Sequence, residues 1–407
     1  MPRVDRLIHD WNVPKGSSRP RRVELDDETL RDGLQSPSVR NPSLAEKIRI
    51  LRRIDALGIE TADIGLPGAG SHVVRDVTAL ARVIVRDRLK VRPNCAGRTL
   101  EADVRPIAEI SRRVGIPIEA CLFIGSSRIR QVVEDWDLRT LLDHTRRSVA
   151  FAVREGLPVM YVTEDTTRAR PEHVRALNLA AVEAGASRVC LCDTVGHATP
   201  AGAAALVRFM RRTLDRAGHR RVKIDWHGHN DRGLSVANAL AAAAAGADRL
   251  HGTALGIGER CGNTPMDVLL ANLSLLGGIR RDLSGLGAYV REVARATGVA
   301  IPPNHPVVGS DAFRTGTGVH AAAVIKALKK GDRELADRVY SGVPAGWFGF
   351  KQEIEVGPMS GRSNVVWWLE SRGWKATTER VERIFNAAKK ADRVLSDFEI
   401  KIILGKI

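Results

Sequence analysis

What this 407-residue chain has little of already narrows it. Aromatic residues make up 4% of the sequence, too few for the stacking platforms that single-stranded nucleic acid requires. The net charge of +16 is large, but the arginines are spread along the whole length. The excess reads as a solvated surface that also draws in anionic substrates, and no nucleic-acid partner is expected. No run approaches the roughly 18–20 uncharged apolar residues of a membrane span. The opening stretch MPRVDRLIHDWNVPKGSSRPRR lacks the apolar core of a secretory signal and reads as a tail over residues 1–20. Cysteine is scarce: Cys95, Cys121, Cys190, Cys192 and Cys261. The number is odd and there is no C-x-x-C pair, which argues against a disulfide framework and a thiolate zinc site. Reduced thiols and a cytoplasmic location are expected instead. Cys190 and Cys192 flank Leu191 and should share one buried strand face. Cys261 is expected to be buried as well.

What is present is an alternation. Apolar residues account for 44% of the chain. Eight short runs stand out: RRVELDD (21–27), IETADIGL (59–66), LKVRPNC (89–95), IPIEACLFIG (116–125), LPVMYVTED (157–165), SRVCLCD (187–193), RVKIDWHG (221–228) and DRLHGTALG (248–256). Between them lie stretches such as 43–58 and 138–156, whose apolar residues recur every three or four positions, as in helices. Gly58, Gly115, Gly156, Gly185 and Gly246 stand where such helices should stop. Eight strand–helix units over 21–280 match a (β/α)8 TIM barrel in count and length, with a doubly wound sheet as the alternative. A barrel demands that chemistry sit where its strands end, and the polar signals fall there. ETLRDGLQ follows the first run, TEDTTR closes the fifth, and DTVGHATP, HGHNDRG and GIGERCGNTP follow the last three. The opposite ends are mostly plain entries such as GIPI and GADR. After about residue 280 the alternation fades, and 281–407 reads as a mostly helical C-terminal extension.

The segment HGHNDRG (227–233) invites a metal reading. His227 and His229, two apart on a strand end, present both imidazoles on one face. Neutral imidazoles suit a borderline divalent metal, and an oxygen ligand should arrive from another strand. Asp32, after the first strand, is the best candidate. Asn263, after the eighth, is placed to add an amide oxygen or to orient a water. The first, seventh and eighth strands adjoin in a closed barrel, so these groups can converge.

Together, ETLRDGLQSP, DTVGHATP, HGHNDRGLSVANALAAAAAGA and GIGERCGNTP resemble the 2-isopropylmalate synthase, homocitrate synthase and citramalate synthase family, which is related to 3-hydroxy-3-methylglutaryl-CoA lyase. The likeness covers residues 21–280 well and continues more weakly through GTGVHAAAVIK and YSGVPAGWFG. It implies a TIM barrel with a divalent metal (Zn, Mn or Mg) and condensation of acetyl-CoA with a 2-oxo acid, followed by thioester hydrolysis. By motif match it implies Asp32, His227 and His229 as metal ligands, with Asn263 in or next to that set. It puts Arg31 beside the substrate carbonyl oxygen, Thr194 on the 2-oxo acid carboxylate and Glu164 among the catalytic groups. His320 and Tyr340 match residues that the family supplies from the partner subunit, so a homodimer is implied.

The sequence also departs from the family. Leu34 stands where the synthases carry Glu, a feature shared with the lyase branch, whereas GIGERCGNTP has the synthase form. Cys121 and Val162 stand at substrate-pocket positions that are often His and a small polar residue. Both make that end less polar, which suits 2-oxoisovalerate and hence leucine biosynthesis, and suits other apolar 2-oxo acids too. No counterpart of the regulatory domain of feedback-inhibited synthases follows, so leucine inhibition through such a domain is not expected.

Overall fold

The eight apolar runs form eight parallel strands in a closed ring. In the computed structural model, which describes residues 4–12 and 22–405, these are β1 (Glu24–Asp27), β2 (Thr61–Asp63), β3 (Arg92–Arg98), β4 (Glu119–Gly125), β5 (Val159–Glu164), β6 (Arg188–Asp193), β7 (Lys223–Gly228) and β8 (Arg249–Gly252). Each pairs with the next in sequence order, and β8 closes on β1 with Leu25 opposite Leu250. This is a TIM barrel and not the doubly wound alternative. The basic end of the N-terminal tail, residues 13–21, lies outside the described residues.

Several strands differ in extent from the sequence reading; β2, for one, covers only Thr61–Asp63 of the 59–66 run. β3 starts later and runs on to Arg98, because the small residues Ala96 and Gly97 keep pairing with β4 up to Arg98 opposite Phe123. β8 stops at Gly252 instead of running to 256. Leu255 takes a left-handed conformation (φ 58°) inside a short helical turn, and Gly256 follows at φ 65°, so the chain cannot stay extended there.

Local chemistry sets the helix ends. Ser43 accepts from the Glu46 amide while the Glu46 carboxylate accepts from the Ser43 amide, a reciprocal cap that starts helix Leu44–Ala56. The predicted glycine stops all have positive φ. At Gly115 (φ 78°) nothing lies within 4 Å of where a Cβ would sit, so the left-handed turn, not crowding, calls for glycine.

Small TIM barrels fill their interior with layers of apolar side chains. This one carries charge down its axis. Arg249 is fully buried, with Asp225 at 2.6 Å, Glu119 at 2.7 Å and the Thr61 hydroxyl at 3.3 Å. Arg188 reaches Asp225 at 2.6 Å and Glu24 at 3.0 Å. Burial pushes the Asp225 carboxyl up, but Arg249 and Arg188 outweigh it and hold the group well below its usual range.

The chain divides into two compact units. One comprises the barrel region Gly16–Arg281 with Ala288–Ala300, and the other mainly Asp282–Gly287 and Ile301–Ile407. In the barrel unit, the Tyr289 hydroxyl donates to Asp27 and lies 3.1 Å from the Thr29 hydroxyl, fastening its segment to the end of β1. The other unit is mostly helical. Helices Arg362–Ser371, Thr378–Lys390 and Asp397–Ile403 bury Trp368, Leu369, Ile384 and Ile400. Helices Gly318–Lys329 and Arg333–Arg338 bury Ala321, Val324 and Ala336. Among the described residues, no helix is long and apolar enough to cross a membrane.

Candidate metal centre and active site

The tight turn after β1 carries three charged side chains into the barrel mouth. The Gly33 amide bonds back to the Glu28 carbonyl at 3.0 Å and the Leu34 amide to the Arg31 carbonyl at 3.2 Å, so Glu28, Arg31 and Asp32 sit on a closed loop. On the same side of the mouth, β7 brings in His227, one residue before its end. The chain stays extended to His229, whose amide donates to the Asp193 carbonyl at 3.1 Å. His229 also forms an isolated antiparallel bridge with Asn263. The Asn263 loop leaves no room for side chains at its turn: a Cβ on Gly262 (φ 83°) would fall 1.8 Å from the Gly256 carbonyl oxygen.

The three residues expected as ligands converge. Asp32, His227 and His229 are buried and offer ligand atoms within 4.8 Å of one another. Asp32 Oδ2 lies 3.5 Å from His227 Nε2 and 3.9 Å from His229 Nε2. Two ligands of one cation at bond lengths of about 2.1 Å stand roughly 3–3.5 Å apart, so the spacing needs only a small contraction. Two buried atoms here, His229 Nδ1 and Asn263 Oδ1, have no hydrogen-bond partner, while Asn263 Nδ2 donates to the Ile257 carbonyl at 3.1 Å. Burial, and then the charge of His227, push the His229 pKa down to about 4, so its ring is neutral at pH 7, as a ligand must be. Burial also opposes charge on His227, but Glu28 and Asp32 outweigh it and raise its pKa. The donor set fits a borderline divalent cation.

A second cluster, Glu28, His227 and His251, shares His227. It is hydrogen-bonded: Glu28 Oε2 lies 2.7 Å from His227 Nδ1, and Oε1 lies 3.2 Å from His251 Nδ1. Burial raises the Glu28 pKa, but His227, His251 and Arg31 outweigh it and hold the carboxyl well below its usual range. Arg31 is gripped by three carboxylates, Asp63 at 2.7 Å, Glu28 at 3.0 Å and Asp32 at 3.4 Å. They outweigh the burial that would otherwise lower its pKa.

These groups form one wall of a cavity of about 260 Å³. The opposite wall carries Cys121, Met160, Val162, Cys190 and Cys192, a buried sulfur-rich cluster. Cys190 and Cys192 do share a face, with sulfurs 3.8 Å apart. Burial pushes the Cys121 and Cys190 thiols well up, so they remain neutral. Glu164, at the end of β5, also lines the cavity, and burial pushes its pKa up. Thr194 faces the cavity and its hydroxyl also accepts from the Asp165 amide at 2.9 Å.

The other sequence candidates sit elsewhere. His320 and Tyr340 belong to the mostly helical unit, where their exposed rings stack at 4.2 Å. Cys261 is exposed, contrary to expectation. It follows Arg260 at φ 56° and precedes Gly262 at φ 83°, so the loop turns it outward. Sequence reading missed Glu28, Asp63 and His251. Strand alternation held the signal for two of them: Glu28, two past Asp26 and just beyond β1, and Arg249-x-His251 on β8 repeat the phase of His227-x-His229.

With the geometry described, comparison with known proteins is informative. The HMGL-like family model matches residues 22–288. A probable 2-isopropylmalate synthase of Methanopyrus kandleri is 32% identical over 380 residues, covering 91% of this chain and 70% of that protein. Homocitrate synthase AksA of the same organism is 31% identical over 397 residues, covering 95% and 91%. Among solved structures, the HMG-CoA lyase of Bacillus subtilis superposes with a TM-score of 0.57 at 22% identity, covering 70% of this chain and 96% of that one. That likeness is one of fold.

Proposed function

The chain belongs to the HMGL-like family, among its 2-isopropylmalate and homocitrate synthase relatives, and we propose that it condenses acetyl-CoA with an apolar 2-oxo acid, best 2-oxoisovalerate, and then hydrolyses the thioester. The observation that carries this reading is the convergence of Asp32, His227 and His229 on one wall of a cavity whose other wall is apolar and sulfur-rich. The named relatives support acyl-CoA condensation, and those named homocitrate and citramalate synthase are equally similar at 31% identity. Another 2-oxo acid is therefore the second reading. Leu34 keeps a carbon–carbon lyase as a third.

In this mechanism Asp32, His227 and His229 hold the divalent cation, with Asn263 beside them. When bound, it supplies Lewis-acid polarisation of the ketone. Arg31, fixed by its three carboxylates, presents positive charge where negative charge develops on the ketone oxygen. Thr194 bonds the 2-oxo acid carboxylate. The acetyl methyl gives up a proton, its carbon bonds the ketone carbon, and the ketone oxygen takes a proton. Water then cleaves the thioester to free thiol and carboxylate. Glu164 and His320 are the candidates for the methyl proton. Glu164 is supported by its half-buried place in the cavity lining, where burial raises its pKa, as a general base requires. His320 and Tyr340 act from the partner in a homodimer; their exposed, stacked rings are consistent with that. The cytoplasm and leucine biosynthesis are the corresponding setting.

Free-thiol release from acetyl-CoA with a panel of 2-oxo acids tests this. Release confined to 2-oxoisovalerate supports the leading reading. Release with a different acid supports the second, and no release with any acid removes condensation altogether.

A further inference from the structure

The two imidazoles of the proposed cation site are held in different ways. His229 is positioned by its backbone, through the bridge to Asn263, and its Nδ1 has no partner. His227 is positioned through its side chain. Glu28 Oε2 lies 2.7 Å from Nδ1, on the far side of the ring from Asp32, which lies 3.5 Å from Nε2. No cation fits between Glu28 and Nδ1, since two ligands of one ion stand about 3 Å or more apart. The Glu28 contact is therefore a hydrogen bond, with Nδ1–H donating to the carboxylate and Nε2 the ring atom left to face Asp32 and a cation.

Glu28 is itself fixed from two sides. Arg31 Nη2 donates to Oε1 at 3.0 Å, and His251 Nδ1 lies 3.2 Å from the same oxygen. His251 in turn is anchored by Asp225, 2.9 Å from its Nε2, and Asp225 is held by Arg249 and Arg188. Every member of this column is buried or nearly so. We propose that Glu28 is a positioning residue for the cation site: its carboxylate sets the tautomer and orientation of His227 and ties that ring to Arg31. The charged column below exists, on this view, to keep Glu28 in place. An outer carboxylate of this kind also makes the imidazole a better donor, and its loss typically weakens metal binding 10–100-fold.

This inference rests on the cation-dependent reading above, and the test separates the two. The full-length chain, stripped with a chelator, is titrated with zinc against a chromogenic competitor, and separately with cobalt(II) while its visible absorption is recorded. Wild type, Glu28→Gln and Glu28→Asp are compared. Gln keeps the shape and loses the charge; Asp keeps the charge and withdraws it by one methylene, so at least one variant should fold. The expected result is zinc affinity weaker by 10–100-fold in each folded variant, with displaced cobalt bands. Affinity within twofold of wild type and unchanged bands would overturn the assignment of Glu28. A wild-type chain that takes up neither metal would instead overturn the cation-dependent reading itself.

Discussion

The two walls of the barrel mouth are built from opposite chemistry. The wall supplied by β1, β7 and β8 carries Glu28, Arg31, Asp32, His227, His229 and His251, all but His229 tied into one hydrogen-bonded and ion-paired network. The wall supplied by β4, β5 and β6 carries Cys121, Met160, Val162, Cys190 and Cys192. It forms no comparable network: the Arg249 head reaches Met160 from below at 3.1 Å, and one weak thiol contact joins Cys190 to Cys192. Charged groups in a network need fixed partners, so each residue there constrains several others. Apolar side chains need only fill volume and tolerate exchange. On the proposed reading, this difference explains why the reaction class shows in motifs while the choice of 2-oxo acid does not: the first would rest on the constrained wall, the second on the permissive one.

The comparison can be broken from either side. The largest effect is expected at His229→Ala, which should lose bound cation and turnover together, by more than the roughly 10–100-fold typical of an outer partner. Metal analysis beside a thiol-release assay checks this, and retained activity would count against the whole charged wall. Next comes Glu164→Gln, expected to slow turnover by roughly 10²–10⁴-fold, the usual contribution of a positioned acid or base, with cation content unchanged. Mixing His320→Ala with His229→Ala should restore partial activity if the helical unit serves the partner's site; no restoration would remove His320 from that role. On the permissive wall, Cys121→His should leave cation binding intact and shift the preference between an apolar and a polar 2-oxo acid by about 1–3 kcal/mol, read as a ratio of kcat/KM values. The smallest effect is expected from alkylation at pH 8. Cys261, being exposed, should be labelled, while Cys95, Cys121, Cys190 and Cys192 are protected by burial; peptide mass spectrometry of the native protein decides it.

Much of the fold was legible because a barrel strand buried on both faces leaves a short apolar run, and several helices stop at a left-handed glycine. The strand ends were less legible. β8 ends early because of the left-handed Leu255, and no local propensity announces such a residue. In the site, Asp32, His227 and His229 could be proposed from spacing and strand order alone. Glu28 was passed over because a carboxylate three residues before Arg31 looks like an ordinary ion-pair partner. Its importance comes from His227, 199 positions away, a contact that only closure of the barrel creates. Cys261 misled because cysteines are usually buried, whereas the loop conformation there is set by its neighbours.

The axial column has a consequence for anyone seeking a hardier version of this barrel. Asp225, Glu119, Arg249 and Arg188 neutralise one another, with Asp225 and Arg249 out of contact with bulk water. Swapping any one for a hydrocarbon side chain strands its counterpart, at about 3–5 kcal/mol. Replacing them all together by well-packed aliphatic groups is, by contrast, often neutral or favourable for folding, at the cost of the Asp225 anchor on His251 that holds Glu28. A one-at-a-time mutational scan would thus report the column as untouchable, while a combinatorial library varying its members jointly would find routes that the scan misses.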